Sequence, residues 1–187
     1  MLRQRQASIV RKRGRSSPGA ALPGKRSSGA TARVAANPPS ETMDRFRRMI
    51  AGEHPPPPMV ALLRIRMLEV EAGWVVFGAE PSEEFYNGMG VVHGGLAATL
   101  LDSALGCAIN TLAPRGKIFT SLELKVNFTR PLRREVGPVR CEAKVIHMGS
   151  RVATAEGRVA DGNGKIYAHG TATCIVVGPT LRKSRRP

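Results

Sequence analysis

The feature that most restricts the fold of this chain is the composition of residues 94–113. Nearly every residue in this segment is Ala, Leu, Gly, Ile, Ser, Thr or Cys. This length and composition are typical of a helix that is buried on most of its sides. Because such a helix must be covered, the rest of the domain has to wrap around it.

Most segments outside this helix carry strand signals, which are either alternation of apolar and polar residues or enrichment in β-branched and aromatic residues. We predict strands over residues 62–70, 73–80, 121–128, 139–145, 151–160 and 165–177. The last two segments are joined by Asp161-Gly162-Asn163-Gly164, which is a strong hairpin signal. The sequence therefore predicts an α+β fold in which an antiparallel sheet of five to six strands curls around one long central helix.

The formal net charge of +15 is concentrated at the two ends of the chain. Residues 1–40 contain nine Lys or Arg and no Asp or Glu, and residues 180–187 contain four more basic side chains. Residues 41–179 are nearly neutral, with sixteen basic and fourteen acidic side chains. The charge therefore characterises the ends, and we do not expect nucleic acid as a partner of the domain.

We expect residues 1–40 to form a basic, disordered tail, because this mixture of Arg, Ser, Gly, Ala and Pro lacks a sustained apolar period. Two other interpretations of the same segment stay open. One is an organelle transit peptide, and the other is a start codon assigned too early, with the true start near Met43. A second basic tail is expected over residues 179–187.

A short helix and a proline linker are predicted over residues 41–58. Ser40 is a candidate N-cap, and the helical spacing that begins with Met43 and Phe46 predicts an amphipathic helix over residues 41–52. The prolines at positions 55–58 predict an extended spacer. We place the main domain over residues 59–178.

Several classes of protein are excluded by what the sequence contains. The three cysteines include no close pair, which excludes a disulfide framework and a CxxC metal or redox site. No apolar run approaches the roughly 18 residues that a membrane-spanning helix needs. We expect a cytoplasmic protein with no metal and no membrane contact, or a mitochondrial one if the N-terminal segment is a transit peptide.

Asp102 is the first candidate for chemistry. It is the only acidic residue between His93 and Pro114, and that interval contains no Lys or Arg. An ionised carboxylate buried among apolar side chains is unfavourable, so a purely structural helix would favour Ala or Leu at this position. A catalytic role and a structural hydrogen bond to a neighbouring group both remain open.

The second candidate is His93-Gly94-Gly95, at the start of the same helix. The first N–H groups of a helix have no acceptor within it, and two glycines let a ligand carbonyl approach them closely. These amides and the helix dipole would stabilise negative charge that develops on an oxygen during acyl transfer. The alternative is a tight entry turn that needs glycine for its backbone conformation.

The spacing of the two candidates restricts how they can cooperate. Positions 93 and 102 are nine residues apart, which at about 1.5 Å and 100° per residue places them roughly 13.5 Å apart on opposite sides of the helix. If both serve one reaction, the carboxylate and the helix end must come from different chains, as a twofold axis allows. The sequence then predicts a homodimer with two active sites.

These features, together with others further along the chain, resemble the hotdog-fold acyl-CoA thioesterases of the PaaI, or phenylacetate-pathway, type. The residues that carry the resemblance are Asn87-x5-His93-Gly94-Gly95-x6-Asp102, Ser121-Leu122-Glu123-Leu124, Asn127-Phe128-Thr129-Arg130-Pro131 and Gly149-Ser150-Arg151. The resemblance spans about residues 55–177, and it implies a hotdog fold, a dimeric active site and commonly a homotetramer.

The resemblance also implies roles for individual residues. Asp102 would act on the thioester as a nucleophile or as the general base for water. Gly94 would supply the oxyanion-hole N–H, while Asn87 and His93 would shape and orient the thioester from the facing protomer.

A second group of residues is implied in substrate binding. Gly95 adds an amide at the helix start, and either Thr120 or Ser121 would place a hydroxyl near the attacking water. Gly149-Ser150-Arg151 would lie along the pantetheine arm of CoA, with the arginine offering charge to a phosphate. Its alternative is an ordinary β-turn.

The sequence therefore predicts an acyl-CoA thioesterase that forms a free acid and CoA without a metal or redox cofactor. The alternatives are a hotdog domain that binds acyl-CoA without catalysis, as a sensor or regulator, and an acyl-thioester hydratase or dehydratase.

Overall fold

The computed structural model describes residues 41–177. In chain order the helices and strands are α1 (Glu41–Ile50), α2 (Pro58–Leu62), β1 (Arg66–Glu71), β2 (Trp74–Ala79), α3 (Gly94–Thr111), β3 (Ile118–Phe128), β4 (Val139–Met148), β5 (Val152–Asp161) and β6 (Ile166–Val177). The predicted N-cap at Ser40 and both predicted basic tails lie outside the described residues.

The six strands form one antiparallel sheet in the order β1-β2-β4-β5-β6-β3. Helix α3 packs against all six strands. Leu100, Leu101, Leu105 and Ile109 project from it into the core and are almost completely inaccessible to solvent. The predicted α+β architecture, with one long helix inside a curled antiparallel sheet, is confirmed.

Two paired glycines let the sheet approach the helix closely. Gly157 of β5 and Gly170 of β6 are register partners. A Cβ on Gly157 would lie 3.3 Å from Leu105 Cδ2, and one on Gly170 would lie 3.5 Å from Leu101 Cδ1 and 2.5 Å from the Lys125 carbonyl oxygen. The sheet curls tightly around α3 here because neither strand carries a side chain at this point.

The predicted hairpin between the last two strands is confirmed. Asp161 Oδ1 accepts hydrogen bonds from the N–H groups of Asn163 and Lys165, at 2.9 and 3.0 Å. Gly164 has a φ of +79°, which a residue with a side chain rarely adopts. The side chain of Asp161 and the freedom of Gly164 together close the turn.

The segment before β1 was predicted incorrectly. We predicted an extended proline spacer to residue 58 and a strand from residue 62, whereas Pro58 is the first residue of α2 and the strand begins at Arg66. Proline is favoured in the first turn of a helix because its fixed φ suits the helix and its missing N–H would have no partner there. In addition, α1 ends at Ile50, two residues earlier than predicted, and Gly52 follows with a φ of +76°.

No helix within residues 41–177 is long and apolar enough to span a membrane.

Candidate active site

His93 organises the start of α3. It is the N-cap residue, and its Nδ1 accepts a hydrogen bond of 2.9 Å from the Gly95 N–H. The main-chain N–H of His93 donates to the Phe85 carbonyl at 2.7 Å, which fixes the chain entering the helix. The prediction that both glycine amides are open to a ligand is therefore wrong for Gly95, whose N–H is used by the cap.

The Gly94 N–H remains available. Within residues 41–177 no acceptor is paired with it, as expected for the first residue of a helix. Because His93 accepts at Nδ1, a neutral His93 ring carries its proton on Nε2 and can donate a second hydrogen bond away from the helix. The helix start thus offers one main-chain donor and one side-chain donor.

Asn87 builds the loop that leads to His93. Its Oδ1 accepts from the N–H groups of Met89, at 2.9 Å, and Val91, at 3.5 Å. Its own N–H donates to the Val91 carbonyl at 2.8 Å. The side-chain carbonyl is therefore committed to the loop, and only the amide nitrogen of Asn87 could reach a ligand.

The exposed aromatic ring of Phe128 lies beside Gly94, a contact that was not predicted from the sequence. A Cβ added to Gly94 would lie 3.0 Å from Phe128 Cζ and 3.1 Å from Cε1. Phe128 is 58% exposed, although it is a large apolar residue at the end of β3. The ring therefore limits the space for a side chain at position 94.

Asp102 lies nearer the middle of α3 and faces β3. Ser121 of β3 donates a hydrogen bond of 2.6 Å from its hydroxyl to Asp102 Oδ1. The carboxylate takes part in none of the ion pairs formed within residues 41–177. Asp102 is half-buried in the single chain, so the expectation of a fully buried carboxylate is not met there.

The contact with Asp102 distinguishes the two predicted hydroxyls. Ser121 bonds the carboxylate, and the exposed side chain of Thr120 has no hydrogen bond to it. Side chains alternate across a strand, so neighbouring residues point to opposite faces. The register of β3 against β6 shifts between Ser121 and Glu123, which is an irregularity of the kind often found beside functional sites.

Two thiols near this pair are not suited to act as nucleophiles at neutral pH. Cys174 lies behind Ser121, with its Sγ 3.9 Å from the serine Oγ. Burial raises the pKa of the Cys174 thiol, and burial raises the pKa of Cys107 to about 12. Because the thiolate is the reactive form, burial disfavours both thiols as nucleophiles.

Asn110 is a polar residue of α3 whose contacts were not predicted from the sequence. Its side chain makes three hydrogen bonds to main-chain groups, to Gly106 at 2.8 Å and to both polar groups of Phe119 at 2.9 Å each. The only sequence signal was a carboxamide eight positions after Asp102, in a segment whose other residues are apolar, Gly, Ser or Thr.

Gly149-Ser150-Arg151 forms the turn between β4 and β5. The Gly149 N–H donates to the Val152 carbonyl at 2.9 Å, and the main-chain carbonyl of Arg151 accepts from the Val176 N–H at 2.8 Å. Both Ser121 and Ala153 pair with Cys174, from its two sides. With strands about 4.8 Å apart, Ala153, two residues after the turn, lies roughly 10 Å from Ser121, so the turn is at the same end of the sheet.

No hydrogen bond within residues 41–177 links Asp102 or Ser121 to the helix start. Gly94 and Asp102 are eight positions apart on α3, which corresponds to about 12 Å along its axis. Two cavities in the described residues, of 320 and 460 Å³, are lined by none of the predicted site residues. The chain therefore presents two separate candidate half-sites, a carboxylate and an amide donor.

The described residues also contain no cluster of three or more His, Cys, Asp or Glu side chains arranged to hold a metal ion.

Comparisons with known proteins agree on one family. Residues 89–168, which include Gly94 and Asp102 but not Asn87, match the family described as the Thioesterase superfamily. A Saccharolobus solfataricus protein named "Putative esterase" is 34% identical over 106 residues, which cover 57% of this chain and 74% of that protein. The 1,4-dihydroxy-2-naphthoyl-CoA hydrolase of Listeria monocytogenes is 26% identical over 113 residues, covering 60% of this chain and 89% of the relative.

A solved structure gives the same result for the fold. The phenylacetic acid degradation-related protein of Ralstonia eutropha superposes with a TM-score of 0.63 and 28% sequence identity. The superposition covers 70% of this chain and 98% of that one.

Proposed function

Because the chain belongs to the Thioesterase superfamily and has the hotdog fold, we propose that it hydrolyses an acyl-CoA thioester to a free carboxylic acid and CoA. The family supports hydrolysis of thioesters in general. CoA as the carrier, the identity of the catalytic residues and the assembly of the site are parts of the proposal.

The observation that carries the proposal is the 2.6 Å hydrogen bond from Ser121 to Asp102. It holds Oδ1 of a carboxylate that has no ion-pair partner among residues 41–177, and it leaves Oδ2 free to act. A carboxylate fixed through one oxygen is suited either to take a proton from water or to attack a carbonyl carbon. A purely structural hydrogen bond would not need a charged residue on a helix of small apolar side chains.

In the general-base route, Asp102 takes a proton from water as the water oxygen bonds to the thioester carbon. The carbonyl oxygen becomes an oxyanion and accepts a hydrogen bond from the Gly94 N–H. The intermediate then collapses, the C–S bond breaks, and CoA leaves as a thiolate that takes the proton held by Asp102, which restores the carboxylate. In the nucleophilic route the carboxylate itself bonds to the carbon, the C–S bond breaks, and CoA leaves as a thiolate. Water then cleaves the resulting mixed anhydride, which frees the acid and restores the Asp102 carboxylate, and the thiolate takes up the proton that the water releases.

The oxyanion donor in this scheme belongs to a second copy of the chain. The half-sites of one protomer are separated by about 12 Å along α3, which is too far for both to contact one thioester carbonyl. Two α3 helices that run antiparallel across a twofold axis would bring Asp102 of one copy to Gly94 of the other. We propose a homodimer as the catalytic unit, and a homotetramer as its further assembly.

His93 and Asn87 contribute to the same half-site as Gly94. The His93 Nε2–H and the Asn87 side-chain nitrogen are the donors left after the loop and cap are formed, and either could bond the thioester or the pantetheine amides. Arg151 is exposed at the neighbouring turn and could pair with a phosphate of CoA. The scheme uses a carboxylate, an amide and water, and it calls for no cofactor.

The test is thiol release from a panel of acyl-CoA substrates with short, long and aromatic acyl groups. The panel includes 1,4-dihydroxy-2-naphthoyl-CoA, which the name of the Listeria relative suggests. We expect turnover by the full chain, and a loss of at least about a hundredfold in kcat for Asp102→Asn. Asp44→Asn is the matched control, because Asp44 is an exposed carboxylate on α1.

Equal kcat for Asp102→Asn and the wild-type chain would refute the assignment of Asp102. Tight binding of acyl-CoA with no turnover by any protein in the series would instead favour a sensor.

A further inference from the structure

Side chains of two α3 residues, Asp102 and Asn110, form hydrogen bonds to β3. The second is Asn110, whose Nδ2 donates to the Phe119 carbonyl at 2.9 Å and whose Oδ1 accepts from the Phe119 N–H at 2.9 Å. The same Nδ2 also donates to the Gly106 carbonyl at 2.8 Å, which holds the carboxamide against its own helix. Both polar groups of one peptide segment are thus bound by a single side chain.

The Asn110 side chain bonds main-chain groups of β3 that a neighbouring strand would otherwise bond. Strand β3 lies at the edge of the sheet, with β6 on one side and no strand of residues 41–177 on the other. Both main-chain groups of Phe119 are taken by Asn110, so at this residue the side chain occupies the place of a neighbouring strand. The Phe119 ring is 3% exposed, so the segment is held by packing as well.

Ser121 follows Phe119 by two residues and therefore points to the same face of β3. Directly after Ser121, the pairing with β6 slips in register. A strand at such an irregularity is not held in place by its ladder alone. The position of the Ser121 hydroxyl therefore depends on how firmly the preceding residues are attached to α3, which is what the Asn110 side chain controls.

We propose that Asn110 is a positioning residue for the hydrolytic reaction. It acts through the Phe119–Ser121 segment and keeps the Ser121 hydroxyl on Asp102 Oδ1. The inference rests on the proposed function, because it assigns Asn110 a part in the same reaction. It does not require that Asn110 touch the substrate.

Thr111, the next residue along α3, is a matched control. Its Oγ1 accepts from the Gly73 N–H at 2.7 Å and donates to the Ala108 carbonyl at 2.6 Å. It thereby fastens α3 to the β1–β2 turn, at the opposite edge of the sheet from β3. Thr111→Val removes a comparable set of hydrogen bonds without altering the attachment of β3.

The experiment measures kcat, KM and the melting temperature for Asn110→Ala, Thr111→Val and the wild-type chain. We expect both variants to melt at a lower temperature. Well below those temperatures, Asn110→Ala should lower kcat by about threefold to tenfold with KM changed by less than about twofold. Thr111→Val should keep the wild-type kcat.

A double-mutant cycle separates positioning from general destabilisation. If Asn110 acts through Ser121, adding Asn110→Ala to Ser121→Ala should change kcat by less than about 1.5-fold, because the hydroxyl to be positioned is already absent. If Asn110→Ala does not fold, Asn110→Asp takes its place. It keeps the acceptor for the Phe119 N–H but sets an oxygen against the Phe119 carbonyl, and the same loss of kcat is expected.

Three results would overturn the inference while leaving the proposed function intact: full kcat in the Asn110 variants, an equal loss in Thr111→Val, or effects of Asn110 and Ser121 that multiply independently. A wild-type chain that hydrolyses no acyl-CoA would overturn the proposed function, and this inference with it.

Discussion

Replacing Ser121 by alanine removes the hydroxyl that contacts Asp102 and leaves the rest of β3 in place. The bond is short, 2.6 Å between Ser121 Oγ and Asp102 Oδ1, and its acceptor is a carboxylate. Hydrogen bonds to charged groups contribute about 1.5–3 kcal/mol. Because Ser121 is exposed and Asp102 only half-buried in the single chain, the lower end of that range applies. About 1.4 kcal/mol corresponds to a tenfold change in rate.

We therefore expect Ser121→Ala to lower kcat about tenfold. KM should change little, because the hydroxyl orients the carboxylate and does not bind the CoA moiety. The assay is thiol release at saturating acyl-CoA, with the melting temperature measured in parallel. Ser121→Thr restores a hydroxyl and should recover most of the activity.

Thr120→Val is the control for the local change in β3, because it removes a hydroxyl that does not bond Asp102. Its kcat should match that of the wild-type chain. Wild-type kcat in Ser121→Ala, or an equal loss in Thr120→Val, would refute the argument that this bond prepares the carboxylate.

Two further predictions concern other parts of the chain. Gly94→Ala places a Cβ 3.0 Å from Phe128 Cζ. We expect a lower kcat/KM, because the methyl group and the displaced ring crowd the Gly94 N–H. The double variant Gly94→Ala/Phe128→Leu should recover part of the lost kcat/KM. The exposed ring can move aside, so the free energy of unfolding from denaturant titration should change by less than about 1 kcal/mol. Unchanged kcat/KM in Gly94→Ala would contradict the proposed approach to this amide. Hydrogen bonds from Trp74 and Arg158 hold the pKa of Glu142 below its ordinary value of 4.5. This contribution to stability is present above that value and is lost as the pH falls through the lowered pKa, so Glu142→Gln should be less stable than wild type at pH 7 and converge with it in acid. A difference in the free energy of unfolding between Glu142→Gln and wild type that stays constant with pH would contradict this role of Glu142.

The parts of the fold that were predicted correctly are those with local signals. The small residues of α3 must be surrounded whatever covers them, and the alternation in β4 specifies the face that buries Val139, Cys141 and Ala143. The same alternation in β3 misled, because Leu122 and Phe128 are exposed. The Asp161–Gly164 hairpin follows from turn chemistry alone. The segment before β1 was wrong because four consecutive prolines suggested an extended chain, although the last of them is well placed to start a helix.

The site was predicted less completely, because its contacts are tertiary. The use of the Gly95 N–H by His93 depends on a side-chain rotamer that no spacing specifies. The choice of Ser121 over Thr120 depends on which face of β3 meets α3. The roles of Asn110 and Phe128 could not be predicted for the same reason, since each contacts a residue at least nine positions away in the sequence.

The most direct test of the account is complementation between two inactive variants of the full chain. Asp102→Asn lacks the carboxylate, and Gly94→Val blocks the amide with a branched side chain against the Phe128 ring. When the two are unfolded together and refolded in equal amounts, half of the dimers should be mixed, each with one intact site out of two. The account predicts recovery of about a quarter of the wild-type activity. Activity no higher than that of either variant alone, from a mixture shown to contain mixed dimers, would contradict a site shared between two chains.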